Sequence, residues 1–429
     1  MSGAARVALT ALGCKVNFAE MSALAGTLAA AGLEVVPEHE HADIHVLNSC
    51  TVTLQADATT RQRIRRLRRR DPEAHLVLTG CSVDANPDLY LRRDGTDVPL
   101  PPAGVDSVFA NRDKTSIALH VLQAAEHRGK AIATPPARAR AFIKIQDGCD
   151  HRCTYCIVWR ARGESRSVPA DEVLRRVKSA LEAGHAEIVL CGVDLGSWGR
   201  EAGLRLADLV SRVLQAVPAT ARLRLSSVNA NDVTEQLIEL AAHPRLCPHW
   251  RMPLQSGSDA VLRAMHRGYR RQQYSRIANR LREVNPQTTF TTDVMVAFPG
   301  ETDADHAATL SFIDDIGFLA CHVFRWSARP GTPADALPLR VDDRIARRRS
   351  AEVQRASAMT AQRSLLGAVG REHQVVWDGV DNGRAHGLAA TYHQVLLEGD
   401  AAPVRAGGLS TVRATAVDGS ALRATLVSS

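Results

Sequence analysis

Cys149, Cys153 and Cys156 stand in the run CDHRCTYC, their thiols four and three residues apart. Three thiolates at that spacing face inward from one tight loop and suit an iron–sulfur cube. Three ligands on four irons leave one iron open, able to act as a Lewis acid and to bind a chelating small molecule. Zinc is the rival metal. It usually takes two C-x2-C pairs, and no second close pair follows here, although His151 or His185 is a further donor. A second trio is dispersed. Cys14, Cys50 and Cys81 each close a short apolar run, in RVALTALGC, IHVLNSC and LVLTGC.

The helical pattern AEMSALAGTLAAAG fills the first gap between those runs, so each cysteine follows a strand. The steps from Cys14 to Cys50 and from Cys50 to Cys81 match the length of a strand, a crossover helix and a return strand. Strands joined in this way run parallel and share one C-terminal edge, where open α/β sheets place ligands. Any one of the three could be a buried cysteine acting as a small hydrophobe. Three in the same topological position favour a shared ligand.

The remaining elements set the frame for both trios. At 429 residues the chain is too long for one ordinary domain and long enough for two to four. Its apolar content of 45% can build real cores and excludes a wholly disordered chain. No apolar run approaches a membrane span and no leader pattern opens the chain, so a cytoplasmic protein without a membrane partner is expected. Nine cysteines, an odd number, then favour metal or thiol chemistry over disulfides.

Six further strand patterns occupy residues 141–145, 186–192, 222–227, 249–255, 290–300 and 319–326, with helical stretches between them. Six units fit an incomplete barrel or a large open sheet, with the site on the loops after the strands. Residues 334–368 are helix-compatible throughout, and the last stretch reads as short strands punctuated by glycine. The expected fold class is α/β: an N-terminal open parallel sheet domain, a central six-stranded partial (β/α) barrel and a small C-terminal all-β, barrel-like domain. Polar and proline-rich segments at 92–104 and 133–141 put the first boundary near Pro136. The domains are therefore 1–136, 137–368 and 369–429.

The blocks ALGCKVNFAE, VLNSCTVT, VLTGCSVDANP, AFIKIQDGCDHRCTYCIVWRARG, GVDLGSWG, MPLQSGSDAVLRAMHRGY, TDVMVAFPGET and WSARPGTPA occur in this order along nearly the whole chain. In them the sequence resembles the radical S-adenosylmethionine enzymes, and within those the methylthiotransferases. The resemblance implies two [4Fe-4S] clusters. Cys149, Cys153 and Cys156 would hold the one that cleaves S-adenosylmethionine, and Cys14, Cys50 and Cys81 an auxiliary one. The LGCKVN block is similar to the branch that methylthiolates C2 of N6-threonylcarbamoyladenosine next to the anticodon. A tRNA anticodon stem-loop, an external electron donor and a sulfur source are the implied partners, and the C-terminal domain would be TRAM-like.

Around the clusters, Tyr155 and Arg160 are candidates for cofactor contact, as are Gly300 and Glu301 in the FPGE block. Arg162, Gln255, Ser256, Arg325 and Arg329 are candidates for substrate, being near the cluster loop or beyond strand ends. Asp259 is expected to cap the helix that follows it. The net charge is only +7, but residues 61–70 read RQRIRRLRRR, with seven arginines. Ile64 and Leu67 supply a narrow apolar stripe, so Arg61, Arg65 and Arg68 are expected to face outward toward RNA phosphates. Gly148 is expected to serve loop geometry, and Cys191, Cys247 and Cys321 lack ligand spacing and are expected in packing.

Departures from the family pattern are Trp159 after the cluster loop, Phe18 and Ala19 after the KVN block, Trp250 before the PLQSG block and Ala297 before FPGE. All leave the cysteines in place. The rival functions are methylthiolation of another tRNA adenosine or of a ribosomal protein, and a non-catalytic iron–sulfur RNA-binding protein.

Overall fold

The computed structural model describes residues 5–51, 53–90, 104–126, 139–381, 383–399 and 404–427. Most of the two polar segments, and with them the boundary at Pro136, lie outside the described residues. The chain forms two compact units. The first comprises Met1–Pro136, Asp147–Arg152 and Cys156–Ser165, and the second Ala137–Gln146, Cys153–Tyr155 and Arg166–Ser429.

In the first unit β1 (Arg6–Ala11), β2 (Glu34–Val36), β3 (Ile44–Ser49), β4 (His75–Gly80) and β5 (Ser107–Phe109) form one parallel sheet in the order β2-β1-β3-β4-β5. The three strands that precede cysteines are therefore neighbours. All six residues of β3 are buried, as expected of a central parallel strand covered on both faces. Helix α1 (Lys15–Ala30) crosses from β1 to β2, and α2 (Leu54–Arg70) from β3 to β4. Thr53 starts α2 by accepting a hydrogen bond from the Ala56 N–H at 3.1 Å, the usual role of a threonine at a helix N-terminus. Ile64 and Leu67 hold α2 to the sheet through Leu47, Leu76 and Leu78. The short helix α3 (Cys81–Ala85) begins directly at the end of β4. In the cluster-loop segment of this unit, α4 (Val158–Arg162) follows Cys156.

In the second unit β6 (Arg140–Lys144), β7 (Glu187–Cys191) and β8 (Arg222–Leu225) form a parallel sheet in the order β8-β7-β6. A second parallel sheet has the order β9-β10-β11, from β9 (His249–Arg251), β10 (Thr289–Val296) and β11 (Ala320–Arg325). A parallel bridge between Ser227 and Arg251 joins the two sheets. These are the six strands read from the sequence, each within or close to its apolar run. One continuous core from Ile143 to Val353 lies between the strands and their helices.

The helix expected over 334–368 divides. A 3-10 turn covers Pro333–Ala336, and α5 spans Asp343–Ala368, starting where the Asp342 side chain accepts from the Arg344 N–H at 2.8 Å. After α5 come β12 (Glu372–Asp381), β13 (Arg384–Ala389), β14 (Gln394–Leu397), β15 (Leu409–Asp418) and β16 (Ala421–Leu426), a mixed sheet in which only β14 and β16 pair parallel. Its core surrounds the fully buried Trp377.

This sheet is anchored to β7 and β8 by ions. Glu187, Arg222 and Arg224 are all buried, and Glu187 accepts from Arg222 Nε at 2.6 Å and from Arg224 Nε at 2.7 Å. The remaining guanidinium donors reach main-chain carbonyls of Gln374, Leu388, Ala389 and Ala390. Burial alone would raise the Glu187 carboxyl, but the two arginines hold it well below the usual carboxylate range.

Candidate metal and nucleotide site

In the first unit the dispersed trio sits where the strands end. Cys14 precedes α1, Cys50 follows β3 and Cys81 opens α3, so all three lie at the C-terminal edge of β1, β3 and β4. Adjacent strands of a sheet are about 4.8 Å apart, and β1, β3 and β4 are neighbours, so the three residues stand on successive strand ends. Gly13 permits this approach: it has φ +87°, and a Cβ there would lie 2.4 Å from Cys50 Sγ. Only glycine combines that backbone angle with that closeness. The Cys14 thiol is pushed up by desolvation, drawn down by Arg162 and pushed up again by Cys81, although the residue keeps an exposed face. Thiols are the donor type that iron–sulfur coordination takes, and all three of these cysteines are free of disulfides.

Arg162, expected at substrate, has a different position. It is 4% exposed. Its Nε donates to Cys81 Sγ at 3.1 Å, Nη1 to Glu20 and Asp147 at 2.9 Å each, and Nη2 to Asn17 Oδ1 at 2.7 Å. Asn17 also donates to the carbonyls of Leu12 and Ser49, tying α1 to the strand ends. Lys114 forms an ion pair with Glu20. Burial opposes the charge on Arg162, yet Cys81, Glu20 and Asp147 hold its pKa well above the ordinary guanidinium value. The sequence alone does not single out Asn17 and Glu20. The signal available is their position within two turns of Cys14, on a helix that buries an asparagine beside its apolar residues.

The cluster-loop segments are bent by their glycine. Gly148 has φ +75°, and a Cβ there would stand 1.8 Å from the Glu164 carbonyl oxygen. The Cys149 N–H bonds to the Gly163 carbonyl at 3.0 Å, and Cys156 Sγ accepts from the Val158 N–H at 3.4 Å. Arg160 is exposed, and its guanidinium lies 4.9 Å from the centre of the Trp159 ring. Arg152 stands 5.7 Å from the same ring. Both distances are within cation–π range.

In the second unit, Cys153 Sγ accepts from Arg267 Nη1 at 3.3 Å. Arg267 Nη2 donates to Asn229 Oδ1 at 2.5 Å, Asn229 to Asp194 Oδ1 at 3.0 Å, and the Asp194 N–H to Gln146 Oε1 at 2.8 Å. This polar chain joins the loops after β6, β7 and β8 to one cluster cysteine, at the strand ends where barrel-like sheets keep their sites. Arg267 is likewise not singled out by sequence; its signal is its place in the MHRGY block. Tyr155 packs with Val261, Met265, Phe298 and Ala334. A hollow of about 330 Å³ is lined by Gly196, Arg200, Arg205, Asn231, Asp232 and Thr234. Arg200 pairs with the buried Asp232 at 2.6 Å.

Other expected site residues are engaged elsewhere. Ser256 is fully buried against Thr309 and accepts from the Ser258 N–H at 3.1 Å. Gln255 takes a left-handed φ of 66° and bridges to β10 through its main chain. Ser258, not Asp259, caps the next helix, while Asp259 accepts from the Arg271 N–H at 2.8 Å. Glu301 is buried, accepts from the Ala297 N–H and pairs with Arg349 at 2.9 Å. Through these bonds Glu301 braces a turn in which Ala297 has φ +61°. Gly300 is exposed with φ +82°, and open space surrounds the side a Cβ would occupy. Arg325 pairs with Asp343 at 2.8 Å, and Arg329 is buried, its carbonyl accepting from Thr332.

On α2, Arg61 and Arg65 are exposed, as are Arg66 and Arg69. Arg68 is not available in the same way: it pairs with Asp106 at 2.5 Å and donates to the carbonyls of Pro72, Ala74 and Gly104. Cys191 and Cys247 are buried in the second unit, and burial pushes the Cys321 thiol up to about 12. No described helix is long and apolar enough to cross a membrane.

Residues 143–313 match the radical SAM superfamily, and residues 6–99 match Uncharacterized protein family UPF0004. The threonylcarbamoyladenosine tRNA methylthiotransferase MtaB of Thermotoga maritima is 36% identical over 346 residues, covering 77% of each chain. A tRNA-2-methylthio-N(6)-dimethylallyladenosine synthase of Cereibacter sphaeroides is 32% identical over 446 residues, covering 97% of each. Among solved structures, the radical S-adenosylmethionine methyltransferase TsrM of Kitasatospora setae, with tryptophan and a SAM analog bound, aligns with a TM-score of 0.55 at 14% identity. That alignment covers 77% of this chain and 75% of the other, and is a likeness of fold.

Proposed function

The chain belongs to the MtaB-type radical S-adenosylmethionine methylthiotransferases, and from that membership we propose that its two cysteine trios hold two [4Fe-4S] centres serving one reaction on tRNA. It methylthiolates threonylcarbamoyladenosine in tRNA. Cys149, Cys153 and Cys156 would hold the centre that takes S-adenosylmethionine, and Cys14, Cys50 and Cys81 the auxiliary one. When bound, these groups supply the reductive cleavage that makes a 5′-deoxyadenosyl radical, and the sulfur and methyl transfer that replaces hydrogen at C2 of the adenine. No acid–base group of the protein can remove that unactivated aromatic hydrogen, so the chain's own work is positioning.

The observation that carries this reading is the placement of Cys14, Cys50 and Cys81 at three adjacent strand ends, in a chain that also has the C-x3-C-x2-C loop. Arg267 orients the Cys153 side of that loop through Asn229 and Asp194. Arg61 and Arg65, exposed on α2, would meet the phosphates of the anticodon stem-loop. The threonylcarbamoyl group carries a carboxylate that a dimethylallyl group lacks. Arg205 lines the hollow beside the Arg200–Asp232 ion pair and would offer that carboxylate a guanidinium.

The architecture is read as three domains, 1–136, 137–368 and 369–429, with β6 to β11 forming one six-stranded partial barrel and β12 to β16 a TRAM-like barrel. An external electron donor and a sulfur source complete the reaction, in the cytoplasm where tRNA is modified.

The test is anaerobic incubation of the iron-loaded protein with S-adenosylmethionine, a reductant and tRNA bearing threonylcarbamoyladenosine, followed by nucleoside mass spectrometry. The expected result is the 2-methylthio derivative together with 5′-deoxyadenosine. Methylthiolation of dimethylallyladenosine or of a ribosomal-protein peptide instead would overturn the substrate, and iron binding without cleavage would overturn the chemistry.

A further inference from the structure

We propose that Arg162 is a positioning residue that sets the redox potential of the auxiliary centre by holding its guanidinium against the Cys81 sulfur. The inference rests on the two-centre reading above. The guanidinium is fixed from several sides: Glu20 and Asn17 come from α1, Asp147 precedes the cluster loop, and Lys114 holds Glu20 from a third segment. Lys114 is itself steadied by Asn48 at 3.2 Å. Arg162 and Lys114 pair with Glu20 and Asp147, and Asp84 also lies within electrostatic range of both cations. The third guanidinium nitrogen, Nε, turns to Cys81 Sγ at 3.1 Å.

A hydrogen bond to a ligand sulfur and a fixed cation beside it both favour the more negative, reduced state of an iron–sulfur centre. The contact is buried, so solvent screens it little. The planar fork also explains the residue type. Three donor nitrogens reach four partners at once, whereas a lysine ammonium is a single point that cannot span them. Because Arg162 lies six residues beyond Cys156, the same side chain ties the segment after the cluster loop to the auxiliary thiol.

The test uses the full chain with Cys149, Cys153 and Cys156 replaced by alanine, leaving the auxiliary centre alone. Arg162→Gln leaves Asp147 without its cation and Glu20 with Lys114 alone, and can unfold the chain. It is therefore compared with Arg162→Lys and with the Glu20→Gln/Arg162→Gln pair, taking Glu20→Gln alone as the reference. Iron content, the electron paramagnetic resonance spectrum of the reduced state and the midpoint potential are measured.

The expected result is retained iron, a midpoint shifted to more negative potential and an altered spectrum in the paired variant, with a smaller shift for Arg162→Lys. Folded variants with the parental spectrum and midpoint would overturn the inference. So would unfolding of every Arg162 variant, which would make the residue a scaffold member only. A parent that takes up no iron would instead defeat the two-centre reading itself.

Discussion

Two cysteines, one from each trio, accept a hydrogen bond from a guanidinium: Cys81 from the buried Arg162 and Cys153 from the half-buried Arg267. A hydrogen bond involving a charged group contributes about 1.5–3 kcal/mol, equivalent to roughly ten- to a hundredfold in a rate if it orients the reacting centre. Arg267→Lys keeps the charge but loses the fork between Cys153 and Asn229. It is expected to slow 5′-deoxyadenosine release about tenfold or more, with the auxiliary spectrum unchanged; parental release kinetics would remove Arg267 from the site. His393 is a second residue with a measurable consequence. Burial, and to a lesser extent His373, lowers its pKa to about 4, and it bonds to Ser364 and Thr391 as a neutral ring. The unfolded chain regains a pKa near 6.5 and binds the proton more readily, so stability is fully present above about pH 6.5 and falls as pH drops toward 4, by about 3 kcal/mol. Urea unfolding from pH 7.5 to 4.5 should show that slope, and His393→Gln should flatten it.

Helix α2 separates two kinds of arginine that look alike in the string RQRIRRLRRR. Arg61→Ala and Arg65→Ala remove exposed charge and are expected to leave the fold unchanged. If each meets one phosphate, each should reduce the slope of log tRNA affinity against log salt by roughly 0.7 to 0.9. Arg68→Ala should instead lower the melting temperature, because Asp106 and three main-chain carbonyls lose their donor. Filter binding over a potassium chloride series and a thermal melt separate the two outcomes; an Arg61/Arg65 double variant with the parental salt slope would take α2 out of the RNA contact. The strands are legible in the sequence for a related physical reason. Apolar runs such as IHVLNS and EIVLC are buried on both faces, and their cysteines mark where the sheet ends. What periodicity does not convey is which polar residue turns inward. Arg162 and Glu301 read as site residues because they adjoin the motifs, yet each is held by partners far away in sequence, and Ser258 displaces Asp259 as a cap by one position.

At the scale of the molecule, the second unit is held together by charge as well as by its apolar core. Glu187 lies beneath two arginines whose outer donors grip carbonyls of β12, β13 and the turn after β13. Breaking a buried ion group from one side typically costs about 3–5 kcal/mol. Glu187→Gln is therefore expected to split the calorimetric unfolding of the second unit into two transitions, the C-terminal sheet melting first; a single unshifted transition would argue against it. The C-terminal sheet itself is legible in its glycine-punctuated strands, but this anchor is not, since Arg222 and Arg224 sit in the alternating pattern RLRL that ordinarily exposes its polar face.

Gly148 carries a lesson for anyone screening variants or relatives of this chain. A methyl group at that position would collide with the peptide oxygen of Glu164, so an allele with every thiol intact and alanine at 148 would pass any inspection of its ligand residues and still misshape the backbone beside Cys149. Loss of function by such an allele would be inherited through the backbone, with no metal-binding residue altered.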